Sequence, residues 1–107
     1  ILQELRNNNT EFFPEPYYYR LTKDEKFIVT EFVEGKNLST INIKTQPKNF
    51  REKFYKGILA ILKILHKTDI VHRDIRPHNF IIKDDGSPIL IDFQFAVDTN
   101  RKRYNTF

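Results

Sequence analysis

The sequence contains no cysteine, methionine or tryptophan, and only three of its 107 residues are glycine. Without cysteine the chain can form neither disulfide bonds nor thiolate metal sites. No apolar run approaches the roughly 20 residues that a membrane-spanning helix requires. The N-terminus ILQELRNNN also lacks the basic start and apolar segment of a signal peptide. These absences favour a cytoplasmic protein without a transmembrane segment, and they leave peripheral association with a membrane open.

The composition is that of a globular chain, with 39% hydrophobic and 14% aromatic residues, and its length allows at most one ordinary domain. The net charge of +4 would suit a phosphate-bearing partner. The basic residues are scattered, however, and the densest cluster, 101–103, has no aromatic residues among it beyond Tyr104. The sequence therefore predicts no nucleic-acid partner.

The N-terminal third reads as the end of a helix followed by a β-hairpin. Apolar residues at positions 1, 2 and 5 before an asparagine run predict a helix end over 1–8. Pro14 and Pro16 enforce an extended path, and strands are predicted over 17–21 and 27–33 with a polar turn between them.

Residues 38–45 are ambiguous between a short helix and a loop, and Pro47 then opens the clearest helix of the chain. This helix carries one apolar stripe, which Leu59, Leu62 and Ile64 widen enough to predict burial on more than one side. The stripe consists of Phe50, Phe54, Ile58, Ile61 and Leu65. A short strand at 70–71, a loop over 72–79 and a hairpin of strands 80–83 and 89–91 around Asp84-Asp85-Gly86 are predicted to follow.

The loop contains His72-Arg73-Asp74 and, after four further residues, Asn79, which fits the pattern H-R-D-x-x-x-x-N. Asp92-Phe93 follows the hairpin where that pattern is accompanied by D-F-G. The chain therefore resembles the protein-kinase-like superfamily. The resemblance implies an α+β, incomplete protein-kinase-like fold, with the remnant of the N-lobe in 1–33 and the hinge and first part of the C-lobe in 34–107. That part of the C-lobe would include the catalytic-loop β-hairpin.

The resemblance assigns chemistry to four polar residues. Asp74 would orient the acceptor hydroxyl and take its proton, and Asn79 and Asp92 would offer oxygen ligands to Mg²⁺. Arg76 stands before Pro77 where kinases acting on Ser or Thr usually carry Lys, and it keeps the positive charge near the transferred phosphate while changing the donor geometry. His72 is expected to pack beneath the loop, and Arg73 to steady the activation segment.

The stretch 30–35 resembles the hinge that joins the two lobes of a kinase. The resemblance gives Glu31 and Val33 main-chain bonds to adenine, and it places Thr30 at the back pocket. Apolar side chains on the catalytic-loop hairpin would form the floor and wall beneath the base. The complete predicted ATP site is Thr30, Glu31, Val33, Asn37 at the ribose, Ile81 and Ile91.

Several features depart from the family pattern. Gln94 replaces the glycine of D-F-G, which predicts a stiffer or differently regulated activation segment. The sequence has no glycine-rich loop and no identifiable strand lysine, and Glu4 is interpreted as a surface residue and not as that lysine's partner. The chain is accordingly expected to be the central piece of a kinase domain. Its motif residues resemble bacterial-type kinases, including lipopolysaccharide-core sugar kinases, as much as protein Ser/Thr kinases.

Three functions are compared for these residues. The first is an ATP- and Mg²⁺-dependent phosphotransferase that acts on a hydroxyl of a protein Ser or Thr or of a lipopolysaccharide-core sugar. The second is a pseudokinase or binding module, which retention of Asp74, Asn79 and Asp92 disfavours. The third, a basic nucleic-acid module, is the weakest because it lacks any fold signature.

We predict that these 107 residues alone transfer no phosphoryl group, because the sequence lacks the glycine-rich loop and strand lysine that hold the nucleotide phosphates. ATP turnover by the isolated chain, measured with labelled nucleotide, checks this prediction. Turnover above that of an Asp92→Ala variant would contradict it.

Overall fold

A computed structural model describes residues 5–6, 11–93 and 97–98. This part of the chain contains short strands, one long α-helix and three single 3₁₀ turns. The strands and the helix are β1 (Pro16–Leu21), β2 (Lys26–Thr30), β3 (Lys36–Asn37), α1 (Lys48–Lys67), β4 (Ile70–Val71), β5 (Phe80–Ile82), β6 (Pro88–Leu90) and β7 (Val97–Asp98). The 3₁₀ turns cover Leu38–Thr40, Ile43–Thr45 and Pro77–Asn79. Within these ranges, no helix combines the length and the apolar character that crossing a bilayer would require.

The predicted N-terminal hairpin is confirmed. Strands β1 and β2 pair antiparallel, and the register is interrupted between Pro16 and Tyr18. Strand β2 ends at Thr30 and not at Val33 as predicted. Beyond it the Glu31 N–H continues the pairing by donating to the Glu15 carbonyl at 2.8 Å. Leu5 and Arg6 are helical, and the rest of the helix end predicted over 1–8 lies outside the described residues.

Helix α1 forms one side of the core through its predicted stripe. Three stripe residues are buried, and Phe50 and Ile58 are partly buried against them. Of the three residues predicted to widen the buried surface, Ile64 packs partly buried against the core, whereas the prediction is wrong for Leu59 and Leu62, which are 54% and 44% exposed. The described elements pack against one side of the helix. The core cluster is Leu5, Phe13, Phe54, Ile61, Leu65, Ile70, Phe80, Ile82, Leu90 and Phe93.

The second sheet has the order β3-β5-β6, with antiparallel pairs throughout. Strand β3 was not predicted, because two residues are too few to show an alternating pattern. Strand β6 begins at Pro88, a position where the missing N–H of proline is tolerated, and it ends before Ile91. The Leu90 N–H donates to the Phe12 carbonyl at 3.0 Å, which joins this sheet to the N-terminal part of the chain. A separate pair, β4 and β7, lies next to the catalytic-loop region.

The turn between β5 and β6 has the hydrogen bonds of a three-residue hairpin loop. The Gly86 N–H donates to the Lys83 carbonyl and the Lys83 N–H to the Ser87 carbonyl, each at 2.9 Å. Gly86 has a φ of +98°, a backbone conformation that residues with a side chain rarely adopt. The Ser87 N–H donates to Asp85, and this bond, together with the Lys53 ammonium, lowers the Asp85 pKa to about 2.

Substituting Gly86→Ala should destabilise the protein by about 1–3 kcal/mol, because the new Cβ would meet the Phe50 carbonyl in a left-handed backbone conformation. Thermal or urea unfolding of the protein that contains this chain measures the change. The matched control Asp84→Ala, at an exposed position in the same turn, should stay within about 0.5 kcal/mol of the parent. Equal stability of the two variants would contradict the prediction.

Candidate active site

The His72 imidazole lies between the catalytic loop and the segment that leads to Asp92. Its Nδ1 accepts the Asp74 N–H at 3.1 Å, and its Nε2 lies 3.0 Å from the Ile91 carbonyl. Both bonds require the neutral Nε2–H tautomer, because Nδ1 must present its lone pair. The side chain is 1% exposed and packs edge-on against Phe93 at a centroid distance of 4.7 Å. His72 therefore packs beneath the loop, as the resemblance implied.

Asp74, Asn79 and Arg76 converge within the same loop. The Asn79 amide nitrogen donates to the Asp74 carbonyl at 2.9 Å and to the Asp74 carboxylate at 2.8 Å. The Arg76 guanidinium reaches the other carboxylate oxygen through Nε at 2.8 Å. These bonds fix the orientation of the Asn79 amide, because a flipped amide would set its oxygen against a carboxylate. The structure thus brings together all three residues that the sequence assigned to catalysis.

The electrostatics of Asp74 follow from these contacts. Partial burial of its carboxylate raises the Asp74 pKa. The Asn79 hydrogen bond and the nearby Arg76 charge lower it by a larger amount, so the pKa lies below the ordinary value of 3.8. Asp74 is consequently an anion throughout the neutral range. An ionised carboxylate accepts hydrogen bonds through both of its oxygens.

Asp92 follows directly on Ile91, whose N–H donates to the Asn79 carbonyl at 2.9 Å. This bond ties the segment that carries Asp92 to the loop that carries Asn79. Asp92 and Arg73 have φ values of +60° and +71°, an uncommon conformation for residues with side chains that clusters at functional sites. Gln94, the departure from D-F-G, lies outside the described residues.

The donor set suits a hard cation. Among the described residues, no three Asp, Glu or His side chains group closely enough to hold a metal ion alone. Mg²⁺ typically takes one or two protein carboxylates and completes its shell with phosphates and water. The Asn79 amide uses its nitrogen on Asp74 and retains its oxygen as a ligand atom, and Asp92 adds a carboxylate. These two residues therefore fit Mg²⁺ held jointly with phosphate.

The predicted adenine residues lie along the hinge and on the facing hairpin. Thr30, Glu31 and Val33 are half-buried, as are Ile81 and Ile91. The hinge and hairpin are close together at Gly35, where an added Cβ would lie 2.5 Å from the Ile82 carbonyl and 2.8 Å from an Ile81 methyl. Only glycine permits this approach.

Asn37, predicted to reach the ribose, is already bonded at both ends of its amide. The nitrogen donates to the His78 carbonyl at 2.8 Å. The oxygen accepts from the Ser39 N–H at 3.0 Å and from the Ser39 hydroxyl at 2.7 Å, which caps the 3₁₀ turn that follows. Asn37 thus links β3 to the catalytic loop, a role that the sequence did not indicate.

The sequence also gave no sign of Arg6. Its Nη1 donates to the Phe13 carbonyl and to the Glu31 carboxylate, each at 2.9 Å. The same carboxylate accepts the Glu15 N–H at 3.0 Å. This Glu15 bond and the Arg6 guanidinium outweigh desolvation and lower the Glu31 pKa below 4.5. An arginine beside a run of asparagines carries no recognisable signal, so only the structure reveals this contact.

A cavity of about 890 Å³ borders the hinge along residues 31–36 and extends to Lys83, Asp85 and Ile89 at the hairpin turn. Neither Asp74 nor Asn79 nor Asp92 lines it. It is therefore distinct from the place where the catalytic-loop groups converge. Glu4 and the basic cluster 101–103 lie outside the described residues.

Comparison with known proteins agrees with this geometry. Residues 2–107 match the protein kinase domain family. The chain is 36% identical to serine/threonine-protein kinase C of Synechocystis sp. over 92% of its own length, and it spans 19% of that protein. It is 30% identical to dual specificity protein kinase zakA of Dictyostelium discoideum over 100% of its length, and it spans 14% of that protein.

The fold is similar to that of the Cydia pomonella granulovirus kinase PK-1, with a TM-score of 0.71 at 18% sequence identity. The match covers 91% of this chain and 37% of the viral chain. The predicted α+β, incomplete protein-kinase-like fold is therefore confirmed.

Replacing His72→Phe should lower the free energy of unfolding by about 2–4 kcal/mol, because the Asp74 N–H and the Ile91 carbonyl would each lose a buried partner. The phenyl ring preserves the packing on Phe93, so the loss reports the two hydrogen bonds. Unfolding of the protein that contains this chain measures it, with His66→Phe on the exposed side of α1 as the control. Equal effects of the two substitutions would contradict the prediction.

Proposed function

This chain belongs to the protein kinase domain family, and from that membership we propose that the protein containing it transfers the γ-phosphoryl group of ATP to a hydroxyl. The observation that carries the proposal is the convergence of Asp74, Asn79 and Arg76 in one loop that is bonded to the segment of Asp92. The chain spans 19% of the Synechocystis kinase and 14% of the Dictyostelium kinase, so catalysis is proposed for the protein that includes it.

In this proposal Asp74 orients the acceptor hydroxyl. Phosphoryl transfer proceeds through a loose transition state in which positioning and charge stabilisation dominate. The Asp74 carboxylate is ionised at neutral pH, so it can accept a hydrogen bond from the hydroxyl and take its proton as the new bond forms. Asn79 and Arg76 each bond a different oxygen of this carboxylate and so restrict its rotation.

Asn79 and Asp92 are proposed as the protein ligands of Mg²⁺. When bound there, the ion would supply charge neutralisation to the nucleotide phosphates. Arg76 carries a second positive charge beside Asp74, and its side chain is 58% exposed, so it remains accessible to a transferring phosphate. Its planar fork can donate to two oxygens at once, unlike the lysine usual in Ser/Thr kinases.

Adenine is proposed to bind between the hinge and the hairpin. The main chain of residues 32–34 makes no hydrogen bond to the described part of the protein, which keeps its polar groups available to a base. Ile81 and Ile91 supply half-buried apolar surface. Asn37 has less support as a ribose ligand, because a ribose hydroxyl would compete with its bonds to His78 and Ser39.

A protein Ser or Thr is the acceptor that the observations favour. Arg76-Pro77 matches the basic-Pro dipeptide of Ser/Thr kinases, and the Synechocystis relative is named a serine/threonine-protein kinase. A lipopolysaccharide-core sugar is the second candidate, resting on the likeness of HRDIRPHNF and IDFQFA to bacterial-type kinases. The division into an N-lobe remnant, 1–33, and a C-lobe part, 34–107, belongs to the same proposal.

Radiolabelled γ-phosphate transfer tests the function. The protein containing this chain is incubated with labelled ATP, Mg²⁺ and whole-cell extract, beside Asp92→Asn and Asp74→Asn variants. We expect a loss of about 10²–10⁴-fold in both variants, because each removes a charge that acts in the transition state. Asp24→Asn, an exposed aspartate in the β1–β2 turn, is the matched control and should retain full transfer.

The destination of the label separates the acceptors. Label in protein bands supports a Ser/Thr kinase, and label in glycolipid supports a sugar kinase. A folded protein that transfers no label under these conditions would overturn the proposal in favour of the pseudokinase. Transfer that survives Asp92→Asn would overturn the assignment of the metal ligand.

A further inference from the structure

Glu31 makes contacts through both its backbone and its side chain. Its backbone belongs to the hinge that the proposed function assigns to adenine, whereas its carboxylate bonds to Arg6 and to the Glu15 N–H. The Glu31 N–H in turn donates to the Glu15 carbonyl at 2.8 Å. The position of this hinge residue is therefore fixed by contacts with residues far away in the sequence.

The contacts of Glu31 matter because residues 32–34, which follow it in the hinge, have no such hydrogen bonds to the described residues. Strand β2 ends at Thr30, and the main chain of 32–34 forms no hydrogen bond to the described residues. Within the described ranges, the Glu31 carbonyl accepts one long bond of 3.2 Å, from the Thr30 hydroxyl of the preceding residue. The geometry at the start of the hinge is thus set mainly by Glu15 and Arg6.

The Arg6 pair differs from an ordinary surface ion pair in its burial and its partners. The Arg6 and Glu31 side chains are 20% and 35% exposed, and the atoms that meet lie 2.9 Å apart. The side chains of Arg20 and Glu25, in the β1–β2 hairpin, are 51% and 54% exposed, and their charged atoms lie 3.3 Å apart. Arg6 also donates to the carbonyl of Phe13, a core residue that packs on Phe93. A half-buried, shared guanidinium restricts its partners more than an exposed pair does.

We infer that Arg6 is a positioning residue for nucleotide binding, acting through Glu31 to hold the hinge where its backbone meets adenine. The inference rests on the proposed function, because it assumes that the hinge binds ATP. Arg6 lies outside the motifs that identify the family, and it does not touch the catalytic loop in the contacts described above. Its loss should therefore affect binding of the nucleotide more than the chemical step.

Steady-state kinetics of the protein containing this chain test the inference with Arg6→Met, which keeps an unbranched apolar stem but removes the charge. We expect the KM for ATP to rise by about tenfold, the effect of one charge-assisted hydrogen bond, while kcat changes by less than about twofold. Arg6→Lys should recover part of the affinity. Arg6→Met combined with Glu31→Gln should be no worse than Arg6→Met alone, because both disrupt one contact.

Arg20→Met in the exposed pair is the matched control and should leave the KM for ATP unchanged. An active parent in which Arg6→Met behaves like Arg20→Met would overturn the inference and leave the proposed function standing. An inactive parent would instead overturn the proposed function. Hydrogen exchange of the Glu31 and Glu15 amides then decides on the contact itself: faster exchange in Arg6→Met than in Arg20→Met supports the positioning role, and equal exchange overturns it.

Discussion

The arrangement of the candidate site depends on one neutral imidazole. His72 accepts a hydrogen bond from the backbone of Asp74 and donates one to the backbone of Ile91, so a single ring sets the spacing of the two segments that carry the acidic residues. Phe93 fixes the plane of that ring, and Phe13 packs on Phe93 at a centroid distance of 6.0 Å. The geometry of the polar groups is therefore inherited from the hydrophobic core beneath them.

The same dependence of polar geometry on distant contacts holds at the hinge. The β3-β5-β6 sheet is joined to the N-terminal part of the chain by the bond from the Leu90 N–H to the Phe12 carbonyl and by the residues that lead from β2 to β3. The Arg6 guanidinium bonds both to Glu31, at the start of the hinge, and to Phe13, the residue after Phe12, so it links the hinge to this N-terminal segment. Movement of the helical residues at 5–6 would consequently reach the hinge through side chains as well as through the backbone.

The sequence predicted those elements whose periodicity or motif lies within a short stretch of the chain. The hairpin of β1 and β2, the buried stripe of α1 and the catalytic loop each have a period or motif within a short window. Strands β3 and β7 are two residues long and arise from pairing with distant strands, so no periodicity announces them. The prediction of burial is wrong for Leu59 and Leu62 because apolar character alone does not reveal which neighbours a helix face contacts.

In the candidate site too, contacts within one loop were predictable from the sequence, whereas contacts between distant segments were not. The sequence placed Asp74, Arg76 and Asn79 in one loop, and the structure brings them within hydrogen-bonding distance. The bonds of Asn37 to His78 and of Arg6 to Glu31 join residues that are distant in the sequence, and neither pair has a composition that marks it. Their detection requires the tertiary arrangement.

The amide of Asn79 has a consequence for how such a chain can change over evolutionary time. Its nitrogen holds the Asp74 carboxylate and its oxygen is the atom proposed for the metal, so two functions share one planar group. A substitution that removes the whole amide removes both groups at once. A lineage that abandoned catalysis could therefore lose the orientation of Asp74 and the proposed metal ligand in a single step.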